Sequence, residues 1–335
     1  MLAFLDHLFS HKEKENLSLV DSSTKKFVRY DSNPILTPSE KHDFMAKAVF
    51  SPTVVELEGK IYILYRAQSR ESVSTIGLAI STDGFTIDEN LKEPIYTPTQ
   101  DFERGTKIDW NSGCEDPRIT QLGDQLYMTY IAYDGTNPPR VALTSISVSD
   151  FLKRNWNWAM PKLISPPGID DKDACIVKHH GDGYLGFHRL GNAMWLDFLR
   201  DLKFPEVKFL TGGIVAQARA DSWDNVKIGI AGPPLETDHG WLLFYHAVSN
   251  PGFKYKIGAM ILDYDNPRIT LGRSDMPLLE PETDYELYGQ VPNAVFSCGS
   301  VIRDGVVYLY YSGADSVICV ATMPLANLLD TLLPS

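Results

Sequence analysis

The sequence predicts an all-β chain, a five-bladed β-propeller with short terminal helices. Three observations carry that prediction. Short strand-like runs bounded by Gly, Asp and Asn turns fill the chain. One strand–turn–strand layout recurs five times, with turns about 60 residues apart. Helical periodicity is scarce between the two ends. The expected organisation is an N-terminal helical extension over 1–24 and a single propeller over 25–335, because no Pro- or Gly-rich stretch is long enough to be a linker.

The five repeats begin at Ser51, Asp116, Asp173, Gly232 and Ser297. Their turns fall at Gly59, Asp124, Gly181, Gly240 and Gly305, each eight residues further on. After each turn comes an aromatic-rich strand, and then a further run: Ile76 to Ile80, Arg140 to Ser145, Ala193 to Asp197, Lys256 to Leu262 and Val317 to Thr322. Three or four antiparallel strands per unit is the size of a propeller blade. A β-sandwich would not explain one layout used five times. Leu325 to Leu333 reads as a short amphipathic helix closing the chain.

Composition bounds the function. With 44% apolar and 11% aromatic residues, the 335-residue chain can build a sizeable core. Its 31 basic and 43 acidic residues give a formal charge of −12. No basic run offers a face to nucleic acid or to an anionic membrane, and no apolar run reaches spanning length. Cys114, Cys175, Cys298 and Cys319 lie far apart without a paired metal-ligand spacing. They read as reduced packing thiols in a cytoplasmic protein. The opening segment carries Leu2, Phe4, Leu5, Leu8 and Phe9 but no basic n-region or cleavage site. It reads as an amphipathic helix docking on the body or on another subunit, so a homo-oligomer is one expectation.

The chemistry centres on Cys114-Glu115-Asp116-Pro117-Arg118. Alone, this stretch would be a surface turn with a local ion pair. In a propeller, however, equivalent positions reach one rim of the central channel. Ser51, Asp116 and Asp173 then meet Tyr65-Arg66, His188-Arg189, Tyr245-His246 and Tyr311-Ser312 from the returning strands. Proline suits a strand start, which puts Asp116 at a strand mouth with Glu115 nearby to raise its pKa. Glu115 itself turns aside, because neighbours on a strand face opposite ways. Carboxylates, cations and aromatics in one funnel suit a carbohydrate. Trp110, Tyr133, Trp195, Tyr245 and Tyr288 are candidate ring contacts, although each alone is better explained as packing.

Breaking a glycosidic bond needs an acid at the leaving oxygen, assigned to Asp116, and a nucleophile. A hydrolase would use a second carboxylate, with Asp173, Glu286 or Asp315 available. A phosphorylase would instead hold phosphate with cations such as Arg66, Arg140, Lys172 and Arg189, joined by His188 and Tyr255. A non-catalytic sugar-binding propeller would keep the aromatics and not need Asp116. No metal is expected, since His179 and His180 fall at a hairpin tip away from His188.

The chain resembles glycoside hydrolase family 130, the inverting β-mannoside phosphorylases and related β-mannosidases. The resemblance runs from about Asn33 to Leu329. It is carried by Gly113 to Arg118, Lys172-Asp173-Ala174, His188-Arg189, Gly240 to Leu243 with Tyr245-His246, Ile257-Gly258-Ala259 with Leu262-Asp263, Tyr285-Glu286, Val295 to Gly299 and Gly313-Ala314-Asp315. It implies a five-bladed propeller with Asp116 as proton donor acting through a sugar hydroxyl. Phosphate would attack from the opposite face to give α-mannose 1-phosphate. The phosphate-binding positions it implies are Arg66, Arg140, Lys172, His188, Arg189 and Tyr255. Asp315 would hold the mannose, and Ser51, Glu115, Asp173, His246 and Glu286 are the further substrate-side candidates. A β-mannoside oligosaccharide and inorganic phosphate are the expected partners, with no other cofactor. Two segments depart from the family pattern, Val141 to Trp158 and Ile230 to Pro234.

Overall fold

The computed structural model describes residues 25–105, 111–181, 183–205 and 208–333. The expected N-terminal helix over 1–24, and Trp110, lie outside the described residues. The rest is almost wholly β, in five antiparallel runs that follow one another along the chain.

After β1 (Val28–Arg29), the first run contains β2 (Ala48–Leu57), β3 (Lys60–Gln68), β4 (Val73–Ser81) and β5 (Glu89–Asn90). The second contains β6 (Ser112–Leu122), β7 (Gln125–Tyr133), β8 (Arg140–Ser147) and β9 (Lys162–Leu163). A two-residue parallel contact between β4 and β6 joins these runs into one eight-stranded sheet. The third run is β10 (Asp171–Lys178), β11 (Tyr184–Leu190), β12 (Ala193–Leu199) and β13 (Gly213–Gln217). The fourth is β14 (Lys227–Ile230), β15 (Leu235–Thr237), β16 (Gly240–Ser249), β17 (Lys254–Leu262) and β18 (Thr270–Arg273). The fifth is β19 (Val295–Arg303), β20 (Val306–Gly313) and β21 (Val317–Pro324), and β1 from the start of the chain pairs with β21 at its edge. A helix at Leu325–Leu332 closes the chain as expected, burying Leu328 and Leu332.

Among the described residues, apolar clusters lie between consecutive runs. One joins the first and second runs through Leu64, Leu78, Met128 and Tyr130. Others join the second to the third, the third to the fourth and the fourth to the fifth. Another joins the fifth back to the first, with Tyr308 and Tyr310 against Ile61 and Ile63. This sandwiching explains why central strands read as unbroken apolar runs. In β16, which is buried throughout, Leu242 and Phe244 face one cluster while Trp241, Leu243 and Tyr245 face another. Each such side chain contributes about 1.5–3 kcal/mol by burial.

The same irregularity recurs in the leading strands. Pairing shifts register between Phe50 and Thr53 in β2, Glu115 and Arg118 in β6, Lys172 and Cys175 in β10, and Phe296 and Gly299 in β19. In the fourth run the leading strand is split into β14 and β15 around Ala231 to Pro234. At three bulges a non-glycine residue takes a left-handed backbone: Ser51 (φ +49°), Asp116 (φ +47°) and Asp173 (φ +55°). Such conformations cost about 1–3 kcal/mol each, and bulges re-aim side chains. Asp116 is therefore mid-strand at a bulge rather than at a strand mouth, and Pro117 sits where a bulge tolerates it.

Candidate active site

The bulges direct Ser51, Asp116 and Asp173 into one cavity of about 150 Å³. Returning strands add Arg66 (β3), Arg189 (β11) and His246 (β16), while Lys172 and Lys227 enter from β10 and β14. Tyr255, Val291, Ala294, Phe296 and Asp315 complete the wall. Asp315 also has a left-handed backbone, at φ +50°.

Asp116 is held by two donors: the Ser51 hydroxyl donates to Oδ1 at 2.8 Å and Arg66 Nη1 at 3.2 Å. Ser51 is itself anchored, its N–H donating to the Ser312 hydroxyl at 3.0 Å. Arg66 lies over the Phe50 ring, donates Nε to Ser74 and gives Nη2 to Glu115 at 2.7 Å. Glu115 does not line the cavity, yet it meets the same guanidinium as Asp116, so at this bulge the two neighbours do not simply face opposite ways. Burial pushes its carboxyl up, against the pull of Arg66. Asp315 is pushed up to about 7 by burial and then by the charge of Asp116, with Arg66 opposing and Glu115 adding. A second carboxyl group can therefore hold a proton near neutrality beside Asp116.

Asp173 is surrounded. Arg189 Nε donates to it at 2.6 Å, Arg118 Nη2 at 3.0 Å, and His246 Nε2 lies 3.4 Å away. Burial alone would raise its pKa, but these three hold it well below the usual range. His246 is lowered chiefly by burial. Arg118 is 2% exposed and also donates to the carbonyls of Asp116 and Ile230. It ties the acid's bulge to the third and fourth runs. It holds the Asp173 carboxylate and the Asp116 backbone in place.

Four expected site residues do not line the cavity: Glu115, already placed behind Arg66, and His188, Arg140 and Glu286. His188 alternates with Arg189 on β11 and faces the other way, fully buried, with Nδ1 3.0 Å from both Asp171 oxygens and Nε2 2.8 Å from the Thr211 carbonyl. Nε2 donates to the Thr211 carbonyl, while Nδ1 and Asp171, whose carboxyl is itself pushed up by burial, share a proton. Burial opposes the charge, but Asp171 and the carbonyl raise the ring's pKa. Arg140 instead lines a separate cleft of about 540 Å³ with Phe102, Lys162 and Phe209, its guanidinium donating to the Ser165 carbonyl. Glu286 is the capping residue of the helix Asp284–Leu287, accepting from Arg29, Tyr311 and the N–H groups of Glu282 and Thr283. It fastens β1 to the last sheet. None of the described candidate aromatics (Tyr133, Trp195, Tyr245, Tyr288) lines the cavity: Tyr245 stacks on Trp223, Trp195 lies beside the buried His188, and Tyr288 is 72% exposed. The cavity's rings are Tyr255 and Phe296.

Sequence reasoning missed Lys227 and Phe296. Lys227 starts β14, which was hidden because the fourth repeat was registered from Gly232. The Gly at 229 was the available signal. A Cβ there would lie 2.3 Å from Asp173 Oδ2 and 2.5 Å from His246 Nε2. His179 and His180 end the β10–β11 hairpin, where His180 lies 3.2 Å from Asp265. The four cysteines are buried and unpaired.

Carboxylates and cations thus share the wall of one small cleft. The chain belongs to glycoside hydrolase family 130: a family profile described as beta-1,4-mannooligosaccharide phosphorylase matches residues 24–333. It is 33% identical over 312 residues to a beta-1,2-mannobiose phosphorylase from Thermoanaerobacter sp. strain X514, covering 89% of this chain and 97% of that protein. A 1,2-beta-oligomannan phosphorylase from the same organism is 30% identical, covering 90% and 99%. The fold matches the beta-1,2-mannobiose phosphorylase of Listeria innocua solved with beta-1,2-mannobiose (TM-score 0.74, 23% identity, 91% and 99% covered).

Proposed function

We propose that this chain is a glycoside phosphorylase that cleaves β-mannosides with inorganic phosphate and inversion, giving α-mannose 1-phosphate and a shortened acceptor. The names of its curated relatives support the phosphorolytic reaction, and the two most identical of those described point to 1,2-linked manno-oligosaccharides. The observation that carries the reading is that Lys172, Arg189, Lys227 and Tyr255 line the same cavity as Asp116. A water-using site has no need of so many cations.

In this reading Asp116 delivers a proton, through a sugar hydroxyl, to the glycosidic oxygen. The C–O bond breaks with its electron pair on that oxygen. A phosphate oxygen forms the new bond to the anomeric carbon from the opposite face and gives up its proton to solvent, from which the acid is reprotonated after the products leave. Asp315 and His246 are the sugar-side groups, with Ser51 orienting the acid. No cofactor beyond the co-substrate phosphate is required.

The five antiparallel runs are best read as a five-bladed propeller over 25–335. The apolar clusters between neighbours, including the one from fifth to first, support a closed ring, and β1 pairing with β21 supports a latch. Buried unpaired thiols and a phosphate-consuming reaction suit the cytoplasm.

A β-mannosidase is the second reading, because a solved relative in the family is described among hydrolases that target beta-1,2 mannosidic linkages. Of the three bases considered for it, Asp173 is neutralised by its partners and Glu286 is outside the cavity, leaving Asp315. Incubation with 1,2- and 1,4-linked mannobiose, with and without phosphate, separates the two. Phosphorolysis predicts mannose 1-phosphate and phosphate-dependent turnover; equal release of free mannose in both conditions would sink it.

A further inference from the structure

We propose that the cleft between Tyr96 and the Trp156–Trp158 turn is a second, non-catalytic sugar site that holds a long manno-oligosaccharide away from the reacting bond, an inference that rests on the β-mannoside reading above. The cleft measures about 570 Å³, against about 150 Å³ for the active cavity. Among the described residues, none that lines it is charged, although charged residues make up 22% of the chain. Its wall is instead aromatic and neutral polar: Tyr96, Trp156 and Trp158 with Thr97, Thr99 and Gln100. A sugar offers apolar ring faces and hydroxyl groups, which match both halves of that wall. An anion or a charged peptide matches neither. Both tryptophans fall in Val141 to Trp158, the segment that departs from the family pattern, and the active cavity uses neither of them.

The wall is formed in advance. Trp156 meets Phe151 edge-on at 5.6 Å between ring centres, and Trp158 meets Tyr96 edge-on at 5.7 Å. The Trp158 indole N–H donates to the Ile95 carbonyl at 2.9 Å. Both indoles are half-buried, so each is fixed yet keeps part of its surface open. On the polar side, the buried Glu103 carboxylate accepts the N–H groups of Thr99 at 2.6 Å and Gln100 at 2.8 Å, and the Tyr130 hydroxyl. Side chains held in this way lose little freedom when a ligand arrives. The Ala159 N–H donates to the Ser145 carbonyl on β8 at 2.7 Å, which sets the tryptophan side three strand spacings from β6, about 14 Å. That separates the cleft from the reacting bond. A long chain held at this second point gains effective concentration at the cavity, whereas mannobiose, which fills only the cavity, gains nothing.

Trp156→Ala tests this in the full chain, together with Ala159→Arg, which puts bulk and charge into the same wall at an exposed position and spares the core. Initial rates at saturating phosphate are measured against mannobiose and against a long β-1,2-linked manno-oligosaccharide. Both variants are expected to raise the KM for the long substrate by about fivefold, the scale of one lost ring contact, with kcat and the KM for mannobiose within twofold. Equal KM values for the long substrate, or a parallel rise for mannobiose, would overturn the proposal. Titration calorimetry with the long oligosaccharide, without phosphate, keeps the two readings apart. If the wild type turned over no mannoside but bound the long chain and both variants bound it more weakly, the enzyme reading would fall and the cleft would stand. If phosphorolysis held while all three proteins bound the long chain equally, the cleft assignment alone would fall. Sedimentation covers the other occupant: a wild-type dimer that Ala159→Arg splits, with oligosaccharide binding unaltered, would make the cleft an interface between copies and overturn the sugar site.

Discussion

Arg118 Nη2 lies 3.0 Å from Asp173 Oδ1, a buried ion pair that links the second strand run to the third beneath the candidate acid. The same guanidinium holds the carbonyl of Asp116, so the backbone that aims the acid and the carboxylate that anchors Arg189 share one clamp. The glycosidase-type motif is thus divided in its labour: Asp116 faces the cavity, while Arg118 faces the protein.

Removing that clamp should unfold before it merely slows. Arg118→Met leaves Asp173 with fewer partners and two carbonyls without a donor. Breaking a buried pair in this way costs about 3–5 kcal/mol. Denaturant unfolding measures it, and a loss under 1 kcal/mol would show that the clamp is dispensable.

Asp116→Asn keeps the shape and the Ser51 contact but removes the transferable proton. Turnover of mannobiose with phosphate should fall by about 10²–10⁴, the range for a lost general acid. The melting temperature should stay close to that of the wild type. Unchanged turnover would move the acid role away from Asp116.

Gly229→Ala should be disproportionately harmful for one methyl group. The new Cβ meets Asp173 and His246 at 2.3 and 2.5 Å, and overpacking of this kind costs about 1–3 kcal/mol. Since both displaced groups line the cavity, activity should fall with stability. A variant with wild-type kinetics would show that neither group needs its present position.

Two titrations have the same sign, because both groups are raised in the fold. His188 is raised by Asp171, so the protonated pair contributes fully below the ordinary histidine value and is lost as pH rises through the folded value. The stability gap between wild type and His188→Gln should narrow on the alkaline side, as read by thermal melts across pH. Asp315 is raised from 3.8 to about 7, so the folded chain holds an extra proton between those values. Its ionisation makes stability fall as pH rises through that window. Asp315→Asn should flatten the fall; an unaltered slope between pH 4 and 7 would mean that Asp315 ionises freely in the fold.

The sequence by itself determined the β class, the five-fold layout of strand, turn and strand, and the closing helix, because turn residues and unbroken apolar runs are local properties. It also determined most of the cavity. Ser51, Arg66, Asp116, Lys172, Asp173, Arg189, His246, Tyr255 and Asp315 were legible from equal spacing before the turns and from a family motif. Facing was decided only by the tertiary structure. His188 and Arg189 are neighbours whose side chains diverge by strand alternation, and which of them meets the cavity depends on bulges that spacing does not record. Arg140 and Glu286 found partners in Ser165 and in the N-terminal strand's Arg29, far away in sequence. Lys227 was hidden because its run begins with a broken strand, and only the close approach of Gly229 to Asp173 and His246 reveals what its lysine faces.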